Sequence, residues 1–125
     1  TFYDQSRVAI LPMAFCFPGY DARGADLPPP PVCWDTWHTD VLDYIGPTPL
    51  RIIIGQYAIK RHLGRTGPLS DVIADWRSFP SGTFVLPHPS WRNTGWLRKN
   101  PVFETDVLPV LRAQVALLLT NRVLT

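Results

Sequence analysis

The segment Phe84-Val85-Leu86-Pro87-His88-Pro89-Ser90-Trp91-Arg92-Asn93 puts the tightest limits on what this chain can fold into. An apolar run, good strand material, stops at a proline. Proline has no N–H to give to a ladder, so the strand closes there. Pro87 and Pro89 each fix φ and hold the residue before them extended, which leaves the His88 imidazole little freedom. A buried strand ending at Leu86 delivers that histidine to the carboxyl end of a sheet, where open α/β folds place their ligands. A hydroxyl, an aromatic ring, a cation and an amide follow at once, and Arg98 and Lys99 lie a few residues on. A stiff His-Pro-Ser loop among cations points to chemistry beside a polyanion.

The rest of the chain supplies the frame for such a loop. Arg7-Val8-Ala9-Ile10-Leu11-Pro12-Met13 reads as a buried strand, short, branched and apolar. Residues 17–32, with Gly19, Gly24 and the run Pro28 to Pro31, cannot be helix or central strand, and polyproline II suits part of them. Asp35 is placed to cap a helix carrying Trp37, Val41, Leu42 and Ile45 on one face, with Gly46-Pro47 as its stop. Residues 50–54 read as a second buried strand. Gly55 then allows a tight turn into a helix ending near Leu63, with Gly64 at its C′ position. Ser70 is placed to cap a short helix to about Trp76, and residues 83–86 form a third strand. Asn100-Pro101 starts the last helix, which Pro109 should kink or split unless Asp106 caps a new start. Strands alternating with helices predict a three-layer α/β/α fold around a mainly parallel sheet.

Bulk properties narrow the function class. At 125 residues the chain fits one domain, 1–125, and 46% hydrophobic against 18% charged residues is a globular balance. A net charge of +2 is too small to imply a nucleic-acid partner, so any such contact must be local. Arg92, Arg98 and Lys99 lie close together, while Asp35, Asp40 and Asp43 sit on another segment. No apolar run approaches the roughly 20 residues that span a bilayer. No signal peptide is visible, which makes the cytoplasm the default location.

Cys16 and Cys33 each follow an apolar stretch and face the proline-rich loop. A disulfide, two ordinary buried thiols and metal ligation are all open at this point. A zinc site with His38 as third ligand is a further option, although the spacing fits no standard zinc pattern. His62, beside Lys60 and Arg61, reads as a surface residue, and His38 as a structural one.

His88-Pro89-Ser90 followed by Asn93 resembles the His-Pro-Ser loop of the uracil-DNA glycosylase superfamily. The order of the other features strengthens the likeness: a strand leading into Cys16, a proline-rich loop to Cys33, a helix, the strand-Gly turn Arg51–Gly55, a helix and a strand. This order is similar to that of the iron–sulfur, family 4/5-like branches, and it covers nearly the whole chain. In those branches a first βαβ portion precedes this point and carries the water-activating motif. Nothing here matches that motif, so the expectation is a carboxy-terminal part of such a domain, with its amino-terminal part missing.

The resemblance implies a DNA glycosylase of base-excision repair acting on uracil or another deaminated base. The base is flipped from a duplex or taken from a single strand. His88 would be the catalytic donor to uracil O2. Ser90, Trp91, Arg92 and Asn93 would meet the DNA backbone and the gap left by the base, and Arg98 and Lys99 the phosphates. Trp91 and Trp96 can stack on bases or belong to the core. Cys16 and Cys33 would supply two of four thiolates for a [4Fe–4S] cluster, possible only if other residues of an intact protein supply the rest.

One departure stands out. The asparagine that reads the uracil edge in the uracil-specific families falls near Pro12, with Met13 next to it, and neither can read that edge. A member of the superfamily that binds DNA or damaged DNA without cleaving it is therefore the alternative. An unrelated nucleotide- or partner-binding α/β module, suggested by Gly55-Gln56, is the third class.

Overall fold

A computed structural model describes residues 2–120 of the chain. It divides into two compact units, Thr1–Thr48 and Pro49–Thr125.

The first unit is built on one helix, α1 (Pro31–Ile45). α1 begins a full turn before the expected cap at Asp35. Pro31 occupies the first turn, where its missing N–H costs nothing and its φ is already helical. Gly46 ends the helix with φ 74° and an N–H to the Leu42 carbonyl at 2.9 Å. The earlier start shifts the phase of the buried face. Cys33 and His38 are buried and Val41, Leu42 and Ile45 are half-buried, whereas Trp37 is 55% exposed. Trp37 therefore does not lie on the inner face, and His38 takes the place expected for it.

Arg7–Met13 is not a strand, contrary to the sequence expectation. The Arg7 and Val8 N–H groups both donate to the Asp4 carbonyl at 2.9 Å, which uses them in a turn. Pro12 has no N–H, and its carbonyl accepts from His38 Nε2 at 2.9 Å. A ladder needs those same groups, so local bonds win over pairing. The proline-rich segment includes a small closed loop, with Tyr20 and Asp26 bridged antiparallel. Asp21 ties it by accepting the Arg23 and Ala25 N–H groups at 2.8 and 3.0 Å.

The second unit is mixed α/β. β1 (Arg51–Ile54) and β2 (Thr83–Leu86) pair in parallel, in the register Arg51–Thr83 to Ile54–Leu86. Between them run α2 (Gln56–Leu63) and α3 (Leu69–Ala74). Gly55, at φ 84°, makes the turn into α2, and Gly64, at φ 63°, closes it, both as the sequence leads one to expect. α3 starts behind Pro68 rather than at a Ser70 cap. After β2 come a single 3₁₀ turn, Trp91–Asn93, then α4 (Thr94–Lys99) and α5 (Leu108–Thr120).

Pro109 stands in the first turn of α5, which begins at Leu108 directly after an irregular turn. Phe103–Val107 forms a π turn, and the Leu108 N–H reaches back to the Phe103 carbonyl. Pro109 has no N–H to give to the ladder, and the π turn lies directly before it.

The core joins Ile53, Ile59, Val72, Ile73, Phe84, Val85, Phe103, Val107 and Leu111. Successive strand residues face opposite ways, and both Phe84 and Val85 are buried, so both faces of β2 are covered. β1 buries Ile53 alone, and Ile52 and Ile54 are more than 40% exposed. Gly82 sets the start of both strands. Its φ is 75°, a Cβ there would stand 2.4 Å from the Pro49 carbonyl oxygen, and its own carbonyl accepts the Arg51 N–H at 2.8 Å. Any side chain at this position forces the two strand starts apart.

Candidate functional site

Parallel pairing puts the ends of β1 and β2 side by side, at Ile54 and Leu86. The Gly55 N–H donates to the Leu86 carbonyl at 3.3 Å, which ties the start of α2 to the root of the His88 loop. Pro87 is half-buried; His88 and Pro89 are exposed. The imidazole thus stands on a proline-stiffened loop at the carboxyl end of a parallel strand, open to solvent.

Side chains of the loop hold the loop itself. Asn93 Nδ2 donates to the His88 carbonyl, closing the segment across five residues. Ser90 Oγ accepts the Arg92 N–H at 3.3 Å and caps the 3₁₀ turn. Thr94 Oγ1 donates to the Trp91 carbonyl at 2.8 Å. Position 93 thus has a role that the sequence does not announce: its amide braces the backbone of the histidine. An Asn five residues after a proline-flanked turn is the signal that could have suggested it.

The two tryptophans part company here. Trp91 is 82% exposed, with the Arg92 guanidinium 5.6 Å from the ring centroid. The pair presents an exposed aromatic face with a cation beside it. Trp96 meets Phe103 edge to face at 5.9 Å and packs on the core. It is a core residue. Arg98 and Lys99 are exposed in the last turn of α4, six and seven residues beyond Arg92.

The remaining candidates belong to the first unit. Pro12 is exposed, and its carbonyl is taken by His38; Met13 is half-buried. His38, 1% exposed, donates through Nε2, and its ring meets Phe15 edge to face at 5.9 Å. This is a structural histidine. Cys33 is buried on the inner face of α1 and Cys16 is exposed. Both are free thiols, so the disulfide reading fails. A [4Fe–4S] cluster takes four thiolates, and this chain has two cysteines. Among the described residues, no three His, Cys, Asp or Glu side chains come together as a metal site. The two cysteines present do not make up a whole cluster by themselves.

A groove of about 230 Å³ lies at the other end of β2, among Trp76, Phe79, Gly82, Thr83 and Gln114. There Arg77 places its guanidinium 4.3 Å from the Trp76 ring centroid. The sequence gives no periodic signal for this groove, because it forms where the turn before β2 meets α5.

Charge separates along with the units. Thr1–Thr48 carries two Lys or Arg against six Asp, a net −4; Pro49–Thr125 carries ten cations against four carboxylates, a net +6. The near-neutral total hides a strongly basic half. No known protein-family model matches the sequence.

Proposed function

We propose that this chain acts on nucleic acid through the His88 loop, as a DNA glycosylase-type hydrolase that cleaves the N-glycosidic bond of uracil or another deaminated base. The observation that carries this reading is a solvent-facing imidazole on a braced loop at the carboxyl end of a parallel strand, next to an exposed Trp91–Arg92 pair. In this reading β1 and β2 are part of a larger three-layer α/β/α domain, and its compartment is the cytoplasm. Among the described residues no helix is long and apolar enough to cross a membrane.

The chemistry follows from the charge that develops. A base flipped out of the stack meets the loop. As the bond from C1′ to the base nitrogen lengthens, the electron pair moves onto the base, and in uracil charge builds on O2. The His88 N–H, fixed by Pro87, Pro89 and Asn93, donates to that oxygen and stabilises the departing anion. Water then adds to C1′, and the base leaves with a proton. Trp91 stacks against neighbouring bases, while Arg92, Arg98 and Lys99 meet phosphates. An iron–sulfur cluster enters only with two thiolates from outside this chain, and no step here runs through it.

A second reading has its own support. The position that aligns with a base-reading amide is Pro12, whose carbonyl already accepts from His38. Nothing at that position reads a base edge, which favours a member that binds DNA or damaged DNA without cutting it.

Single-stranded and duplex oligonucleotides carrying uracil, hypoxanthine or xanthine test both readings. The expected result is excision that falls about 10²–10³-fold in His88→Ala, with DNA affinity little changed. Binding without excision of any of these bases leaves the second reading. Equal loss of excision and affinity in His88→Ala would reduce His88 to a structural residue.

A further inference from the structure

We infer that the end of α2, at Lys60 and Arg61, is a second contact for the nucleic-acid backbone, separate from the His88 loop. The partner class rests on the function proposed above; the location rests on three observations of its own. First, the cationic charge is concentrated in one unit, at a net +6. Second, Lys60 and Arg61 are exposed, and neither makes an ion pair among the described residues, whereas nearby Arg65 is held by Asp75 at 2.6 Å. Third, α2 starts at the root of the loop, through the Gly55 N–H and the Leu86 carbonyl at 3.3 Å.

At 1.5 Å per residue, Lys60 and Arg61 lie roughly 6–8 Å along α2 from its first residue. The contact inferred for them is with phosphates beyond those met by the loop. Two cations in a helix's last turn also favour its dipole. That benefit accounts for the position of the charges and predicts no effect on ligand affinity.

Fluorescence anisotropy of the full chain with a labelled single strand and its duplex, over about 0.05–0.2 M salt, separates the two accounts. Lys60→Gln with Arg61→Gln should weaken binding about 10–60-fold near 0.1 M salt and reduce the duplex salt slope by about 1.8. The charge-keeping pair Lys60→Arg with Arg61→Lys should restore both, which excludes loss of folding as the cause. Asp40→Asn with Asp43→Asn, on α1, changes net charge by the same amount and should leave affinity nearly unchanged.

Unchanged binding in the Gln pair overturns the inference. So does an equal tightening in the Asn pair, which would make the effect one of overall charge. Tighter binding to phosphatidylserine vesicles than to either oligonucleotide overturns it as well, in favour of a membrane surface. Should excision be absent while the Gln pair still loses affinity, the glycosylase reading falls and this contact stands. Excision with unaltered binding in the Gln pair has the opposite meaning.

Discussion

Among the described residues of Thr1–Thr48 the buried ones are Cys33 and His38, and the imidazole is held by a proline carbonyl. Among the described residues of Pro49–Thr125, nine buried apolar residues join two strands, three helices and the π turn into one cluster. The first unit takes its shape from polar bonds between near neighbours in sequence, at Asp4 and Asp21, and from one longer bond, His38 to Pro12. The second takes its shape from burial. Area removed from water grows with the number of elements that share it. One helix with prolines around it has little to share, so hydrogen bonds carry more of the order there. The same division appears in charge, with an acidic first unit and a basic second one.

The comparison can be broken by substitutions in each part. Ile73→Ala, at a residue 1% exposed, should cost about 2–5 kcal/mol through lost transfer energy and a residual cavity. Urea unfolding gives the loss, and amide exchange should place it in β1 and β2. A cost under about 1 kcal/mol would mean that the cluster is not what holds this unit.

His38→Ala should cost less, about 1–3 kcal/mol, chiefly by leaving the Pro12 carbonyl without its donor. Faster amide exchange in the segment around Pro12, with the core of β2 unaffected, is the expected signature. Uniform loss across all amides would contradict the local character assigned to the first unit.

The smallest effect expected is at Asp4. Its carboxyl is held below the ordinary carboxylate range, first by the Ser6 hydroxyl at 2.6 Å and the Ser6 N–H at 3.0 Å, then by Arg7. A depressed carboxylate stabilises the fold above its unfolded pKa and loses that contribution as pH falls through the folded one. The turn at residues 4–8 should therefore loosen only in the acid range, below the usual carboxylate pKa. An NMR titration of Asp4 in Ser6→Ala should return toward ordinary behaviour; an unchanged titration would leave Ser6 without the role given to it.

How readable each part was follows the same line. β1, β2, Gly55, Gly46 and Gly64 lie close to where the sequence places them, because each depends on short-range facts: an apolar run, then a residue that breaks it. Arg7–Met13 looks as much like a strand as Arg51–Ile54 does. The difference lies outside both segments. Asp4 draws two N–H groups into a turn, and His38, 26 residues from Pro12, takes a carbonyl. The exchange of Trp37 for His38 on the inner face has a similar cause, since Pro31 set the phase of α1 by starting it early.

The candidate loop was legible in its covalent stiffness and in its order of residues. Pro87 and Pro89 restrict His88 whatever surrounds them, and Arg92, Arg98 and Lys99 are cations in any fold. Backbone preference, strand period and breaker positions act within a few residues, so they can be read along the chain. The brace from Asn93 to the His88 carbonyl, the sorting of Trp91 to solvent and Trp96 to the core, and the π turn before Pro109 all had to wait for the fold. Each is a choice between two locally acceptable arrangements, and burial and hydrogen-bond partners brought from elsewhere in the chain decide between them.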